Sequence, residues 1–330
     1  MLKLLSLFSG IGAFEKALTN LEIDYELVGF SEIDKWAIES YCNIHNVEAG
    51  LSLGDISEID TKGIPSCDII TFGFPCTSFS IAGYRKGFAD EHKGHLFFET
   101  LRIIRASKPK VIFLENVRNL VNHDEGKTFQ IIKDSLEDAG YHLKYKVMNS
   151  LDYGNIPQNR ERVYVVGFKD KEYFDKFYFP TTIPLSRTIH DITKPNEKKP
   201  EKYYYGEDSQ YYEMLKEEMT KVDTVYQLRR VYVRENKSNV CPTLTANMGT
   251  GGHNVPLIVD DYGIRKLIPL ETWRLMGFTD DDYWKARGAL ENKFYNGNDR
   301  SDSQMYKQAG NSIVVNVLET IFGNMRSILE

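Results

Sequence analysis

At 330 residues the chain can hold one large domain, or a large one with a smaller companion. Its 42% hydrophobic and 27% charged content is ordinary globular composition, and no apolar run reaches membrane-spanning length. The net charge of −6 excludes a uniformly basic surface, so any nucleic-acid contact has to be local. The cysteines Cys42, Cys67, Cys76 and Cys241 show neither C-x-x-C pairing nor histidines at zinc-ligand spacing. That pattern predicts no metal and no disulfide framework, and it suits the cytoplasm. Met1-Leu2-Lys3 leads straight into a strand, not into a signal peptide.

Residues 2–8 form a short apolar strand, and Ser9-Gly10-Ile11-Gly12 turns it into a helix running to about Asn20. A strand, a glycine-rich turn and a helix open a nucleotide-binding α/β unit, although G-x-G by itself is also an ordinary tight turn. The second strand, residues 26–31, ends in Glu32, about 20 residues beyond the glycines, where an acid can accept from ribose hydroxyls. A helix over 35–45 follows, and then a short strand ending at Gly54-Asp55-Ile56. Asp55 is thereby placed to accept from an adenine amino group. No G-K-[ST] phosphate loop is present, and Glu15 would repel phosphate, so an adenosine-bearing ligand without a triphosphate is favoured.

The run 67–72 reads as a strand buried on both faces, broken at Gly73 and stiffened by Pro75. Cys76 follows on a turn at the carboxyl end of that strand, where open α/β sheets place their ligands. It is either a displayed nucleophile or a small buried apolar residue. The stretch 81–94 carries three glycines and mixed charge, as expected of a loop that closes over a substrate. A helix over 95–107 leads to the strand 111–117, which ends in Glu115-Asn116-Val117. Asp55, Cys76 and Glu115 thus end three strands along one edge of one sheet. Strands over 141–149 and 163–168 flank Gln158-Asn159-Arg160-Glu161-Arg162, whose alternate residues are expected to face one side.

Beyond residue 168 the chain becomes rich in lysine and tyrosine. Between 227 and 237 it gathers Arg229, Arg230, Arg234 and Lys237 against Glu235 alone. A glycine-rich loop, 243–253, follows with Thr243, Asn247 and His253. Such loops can enter a major groove, while the arginines can equally serve phosphates alone. A helix over 265–278, an exposed turn over 296–303 and an amphipathic helix over 312–329 complete the reading.

These blocks together resemble the DNA cytosine-5 methyltransferases of bacterial and phage restriction-modification type. The matching residues are Phe8-Ser9-Gly10-Ile11-Gly12, Gly73-Phe74-Pro75-Cys76, Glu115-Asn116-Val117, the 158–162 block, 265–278 and Gln308-Ala309-Gly310-Asn311-Ser312. Order and spacing agree along almost the full length. Thr77 stands where Gln is common, and Ala13 where a further Gly is common.

The resemblance implies an α/β fold: a Rossmann-like mixed sheet with helices on both faces, plus a smaller target-recognition domain. It divides the chain into a catalytic domain at 1–168, a recognition domain at 169–264, and a linker and returning helix at 265–330. It implies S-adenosyl-L-methionine as cofactor, held by Phe8, Gly10, Ile11, Gly12, Glu32, Ile33, Asp55, Ile56, Gly73, Pro75, Leu96, Asn311 and Ser312. Catalysis falls to Cys76, Glu115, Arg160 and Arg162, and contact with double-stranded DNA to Arg229, Arg230, Arg234, Thr243, Leu244, Asn247 and His253. By this reading Cys76 adds to carbon 6 of a flipped-out cytosine. Glu115 favours protonation of ring nitrogen 3, which makes carbon 5 nucleophilic.

A monomer is expected, with a cognate endonuclease as a conceivable functional partner. A tRNA cytosine-5 methyltransferase carrying the same motifs is the alternative, but a distinct segment of almost 100 residues favours duplex DNA. A non-catalytic relative would not need Cys76, Glu115 and Arg162 together. A nicotinamide dehydrogenase leaves Pro75-Cys76 unexplained.

Replacing the nucleophile is the direct test. Cys76→Ser is expected to abolish turnover while DNA and cofactor binding persist, because a hydroxyl is a far weaker nucleophile than a thiolate at neutral pH. Near-normal turnover of this variant would refute the covalent route.

Overall fold

In a computed structural model, the chain is described at residues 1–75, 96–229, 231–237, 239–250, 254–291, 293 and 301–329. Two compact units emerge, one of residues 1–148, 161–181 and 318–330, the other of 149–160 and 182–317. Cys76, Arg230 and His253 lie outside the described residues, as does the 81–94 stretch.

The first unit is built on a six-stranded sheet. Its strands are β1 (Leu2–Leu7), β2 (Tyr25–Ser31), β3 (Ile69–Phe72), β4 (Val111–Val117), β5 (His142–Asn149) and, after β6 (Gln158–Asn159) of the other unit, β7 (Glu161–Phe168). They are ordered β2-β1-β3-β4-β7-β5. β1 runs parallel to β2 and β3, β3 parallel to β4, and β7 antiparallel to β4.

Its helices are α1 (Ala13–Asn20), α2 (Lys35–His45), α3 (Leu96–Ser107), α4 (Lys127–Asp138) and the end of a last helix, Val315–Leu329. Successive side chains of β4 point to opposite faces, so each face needs its own cover. Ile112 and Leu114 share a cluster with Phe97, Leu101 and Ile104 of α3 and with Phe129, Ile132 and Leu136 of α4. Phe113 meets Phe14 of α1 at 5.1 Å and Phe322 of the last helix at 5.2 Å, edge to face. This two-sided cover explains why β1, β3 and β4 read as nearly unbroken apolar runs.

The second unit holds a four-stranded sheet, β12-β11-β8-β9, and the parallel pair β10-β6. Its strands are β8 (Tyr226–Leu228), β9 (Val233–Glu235), β10 (Cys241–Pro242), β11 (Leu257–Asp260) and β12 (Gly263–Lys266). Tyr226, Leu228, Val233, Leu257 and Ile264 pack with Leu215 and Met219 of the helical stretch before it.

Three local expectations are corrected. The strand expected before Gly54-Asp55-Ile56 shrinks to a single bridge, Ser52 with Phe30. Gly54 takes a left-handed φ of 68°, and Asp55 then caps a 3-10 turn by accepting from the Ser57 amide at 2.9 Å. The helix expected over 265–278 starts only at Pro269, which belongs at a helix start because it lacks an amide proton. Arg265 instead lies in β12, opposite Ile258. Ser301 opens the helix Ser301–Asn311, so 301–303 are not a turn, and 296–300 fall outside the described residues.

Arg265 is the most deeply buried cation of the second unit. Its Nε donates to Asp260 at 2.5 Å, and its two terminal nitrogens donate to the two Glu271 oxygens at 2.8 Å each, with no exposed side-chain surface. Glu271 also accepts from the Ile268 amide, tying the pair to the helix start. Removing one partner strands the other charge in the interior. Glu271→Ala is therefore expected to lower unfolding stability by about 3–5 kcal/mol. Lys171→Ala, at an exposed pair with Asp175, should cost less than about 1 kcal/mol. Denaturant unfolding of both variants checks the contrast.

Candidate active site

The strand register sets the site. Ser31, Leu7, Phe72 and Leu114 lie side by side across β2, β1, β3 and β4. The next residue on each strand is therefore Glu32, Phe8, Gly73 or Glu115, all along one carboxyl edge. This edge is where β1 turns out toward β2 on one side and β3 on the other, the place open α/β sheets bind ligands.

At its first end, Phe8 takes a left-handed φ of 55°, followed by Gly10 at 55° and Gly12 at 79°. A bulky residue in that region is strained, and such strain gathers at functional sites. A side chain at Gly10 would meet nothing within 4 Å, so the backbone there faces open space. Glu32 ties the turn to β2. One carboxylate oxygen accepts from the Gly10 amide at 2.9 Å, and the other from the Ile33 and Asp34 amides at 2.8 and 2.9 Å.

Ile33 beside it is 75% exposed, whereas Ile11 and Ile56 are buried. Glu15, expected to face a ligand, is buried instead and accepts from the Tyr41 hydroxyl at 2.9 Å. Its charge helps push Tyr25 up to about 12, after burial as the main cause.

At the other end, Arg162 Nε meets the Glu115 carboxylate at 3.0 Å, both largely screened from solvent. Val117 and Arg162 are register partners, which brings the guanidinium alongside the end of β4. Asn116 Nδ2 donates to the Phe74 carbonyl at 2.8 Å and so holds the turn that leads into Pro75. The sequence contained this residue in its Glu115-Asn116-Val117 block, but its anchoring role depends on a contact 42 positions away. A side chain at Gly73 would crowd the Glu115 carbonyl and carboxylate at 3.3 Å, so glycine permits the close approach of β3 to β4.

The 158–162 block does not face one side. Gln158 donates to the Leu275 carbonyl at 2.9 Å and accepts from the Leu244 amide at 3.1 Å, buried in the second unit. Arg160, equally buried, donates to the carbonyls of Leu244 at 2.8 Å, Gly310 at 3.1 Å and Ser312 at 2.6 Å. Only Arg162 meets a carboxylate. Within the second unit, Gly310 is required because a Cβ there would lie 2.2 Å from the Thr245 backbone.

Asn311 is exposed and Ser312 buried. Leu244 is buried, so it offers backbone groups rather than a side chain. Arg229, Arg234, Thr243 and Asn247 line a cavity of about 550 Å³. Burial raises the thiols of Cys42, Cys67 (to about 11) and Cys241, which keeps all three protonated at neutral pH and poor as nucleophiles.

Comparison with known proteins shows the family. The profile of the C-5 cytosine-specific DNA methylases matches residues 2–327. The type II methyltransferase M.Bsp6I of Bacillus sp. (strain RFL6) is 49% identical over 326 residues, covering 98% of each chain. M.HhaI of Haemophilus parahaemolyticus is 36% identical, covering 99% of this chain and 95% of its own. Among solved structures, the S. pombe Dnmt2 methyltransferase superposes with a TM-score of 0.71 at 21% identity, covering 99% of both chains. That likeness speaks to the fold.

Because Asn116 fixes the Phe74 carbonyl, Asn116→Ala should let the turn before Cys76 drift. Misplacement by about 1 Å can cost about 100-fold in rate, so methyl transfer is expected to fall at least about tenfold. A parallel melting curve should stay within a few degrees of wild type, as loss of one hydrogen bond of about 1 kcal/mol implies. An unchanged rate would leave Asn116 without a positioning role.

Proposed function

We propose that this chain, which belongs to the C-5 cytosine-specific DNA methylase family, methylates carbon 5 of a flipped-out cytosine in a specific short duplex sequence, through a covalent adduct on Cys76. The observation that carries the reading is the Glu115–Arg162 pair, held at 3.0 Å on the same sheet edge as Gly73 and the turn toward Cys76.

The residues fit S-adenosylmethionine as cofactor, which supplies a methyl group on a sulfonium. Glu32 accepts three amide bonds, and a carboxylate has about four acceptor sites, so one remains for a ribose hydroxyl. The open backbone face at Gly10 and the exposed Ile33 suit close approach of a sugar and an adenine. Phe8, Ile11, Gly12, Asp55, Ile56, Gly73, Pro75, Leu96, Asn311 and Ser312 are the further cofactor residues of this proposal.

The chemistry follows from this chain's own groups. Carbon 5 of cytosine is a weak nucleophile until the Cys76 thiolate adds at carbon 6. Glu115 faces ring nitrogen 3 and the exocyclic amine, and favours the protonated ring in which carbon 5 becomes enamine-like. Arg162 orients Glu115 through Nε and binds the Glu161 carbonyl through Nη1, which leaves Nη2 for the ring carbonyl. After methylation, carbon 5 gives up its proton and β-elimination returns the thiol. Arg160 supports the site indirectly, by tying the Leu244 and Gly310–Ser312 backbones together.

Arg229, Arg230, Arg234, Thr243, Asn247 and His253 are the DNA-facing group in the recognition segment 169–264. Leu244 would act through its backbone. Among the described residues no helix is long and apolar enough to cross a membrane. A cytoplasmic monomer working beside a cognate restriction endonuclease completes the proposal.

The test uses duplex DNA and tRNA with labelled cofactor. Label is expected on cytosine carbon 5 of DNA, and DNA bearing 5-fluorocytosine should trap a covalent adduct. Transfer to tRNA alone, or absence of the adduct, would overturn the reading. Glu115→Gln should reduce turnover by about 10²–10⁴ while DNA binding persists.

A further inference from the structure

In the second unit, β8 and β9 form the antiparallel edge ribbon of the four-stranded sheet, and its two faces differ. Tyr226, Leu228 and Val233 point into the core. Alternation then puts Gln227, Arg229 and Arg234 on the opposite face, where Gln227 and Arg234 are direct register partners. All three line the cavity of about 550 Å³, together with Asn159, Thr243 and Asn247. The Arg229 amide donates to the Tyr232 carbonyl at 2.9 Å and closes the ribbon end. Glu235 also lines the cavity and is paired with Lys221 at 2.7 Å, while Lys237 adds a further cation to the lining. The cavity wall is left polar and cationic on a protein whose net charge is −6.

Within this wall, Arg229 Nη2 donates to Gln227 Oε1 at 3.1 Å. An arginine has five N–H donors in a planar fork, so this bond engages one of them and restrains the guanidinium while others remain for a ligand. Such a fork matches the O6 and N7 acceptors of guanine in the major groove.

We propose that Arg229 reads one guanine of the target sequence bidentately and that Gln227 is the positioning residue that holds its guanidinium. The inference rests on the DNA reading above and makes it specific. A phosphate contact would weaken binding to all sequences alike, whereas a guanine contact acts at one position.

The experiment is selection of bound duplexes from a randomised DNA library at one fixed salt concentration. Wild type is compared with Arg229→Ala, Gln227→Ala and Gln227→Glu. Wild type should enrich sites with a fixed guanine. Arg229→Ala should lower the preference for guanine at one position by about tenfold. Gln227→Ala should lower the preference at that same position by about threefold. Gln227→Glu, which keeps the acceptor, should retain it, an outcome that a merely structural glutamine would not produce.

Equal weakening at every position, no change in either variant, relaxation at two different positions, or a wild type without sequence preference would each overturn the proposal. Methyl transfer on the enriched sites is measured separately. Enrichment without transfer would refute cytosine methylation and leave the guanine-reading pair standing.

Discussion

Ser31, Leu7, Phe72 and Leu114 share one row across four parallel strands, and the residues that follow them, Glu32, Phe8, Gly73 and Glu115, line one carboxyl edge. A slip of one residue in any of these pairings would turn the following side chain to the other face. The register is secured by burial on both sides, with α3 and α4 covering Ile112 and Leu114, and α1 and the last helix covering Phe113. Glu32 and Glu115 are therefore placed by the same packing.

The 158–162 block shows how one short motif serves two compact units. Gln158 and Arg160 belong to the second unit and are buried among main-chain groups. Arg160 satisfies three carbonyls from two separate segments, which a neutral side chain could not do with so few atoms. Two residues later, Arg162 belongs to the first unit and holds Glu115. A guanidinium is used in both places because it offers several directed donors, but one supports backbone and the other holds a carboxylate.

The charge distribution follows the same economy of placement. The chain is acidic overall, so long-range attraction to DNA is weak and recognition depends on short-range contacts. The wall over β8 and β9 gathers Arg229, Arg234 and Lys237, with Glu235 paired to Lys221. Cys42, Cys67 and Cys241 are held protonated by burial, which makes these three thiols poor nucleophiles.

Much of this was legible in the residues alone. Apolar runs ending in Glu32, Gly73 and Glu115 show up in a linear reading because both-face burial leaves few polar positions within a strand. The bounds of α2 and β4 likewise follow from periodicity and end signals. Family membership is legible too, since it is carried by ordered blocks. The linear reading fails where long-range contact overrides local pattern. Glu15 looks ligand-facing until Tyr41 is found over it, 26 residues away. The alternation of Gln158, Arg160 and Arg162 suggests one face, but partners 84 to 152 residues distant separate their roles. Arg265 reads as helical until its two carboxylates bury it in a strand. Spacing along the chain decides which side chains end each strand. Only the folded chain decides which of them find a partner, because hydrogen bonds and desolvation act through space and not along the sequence.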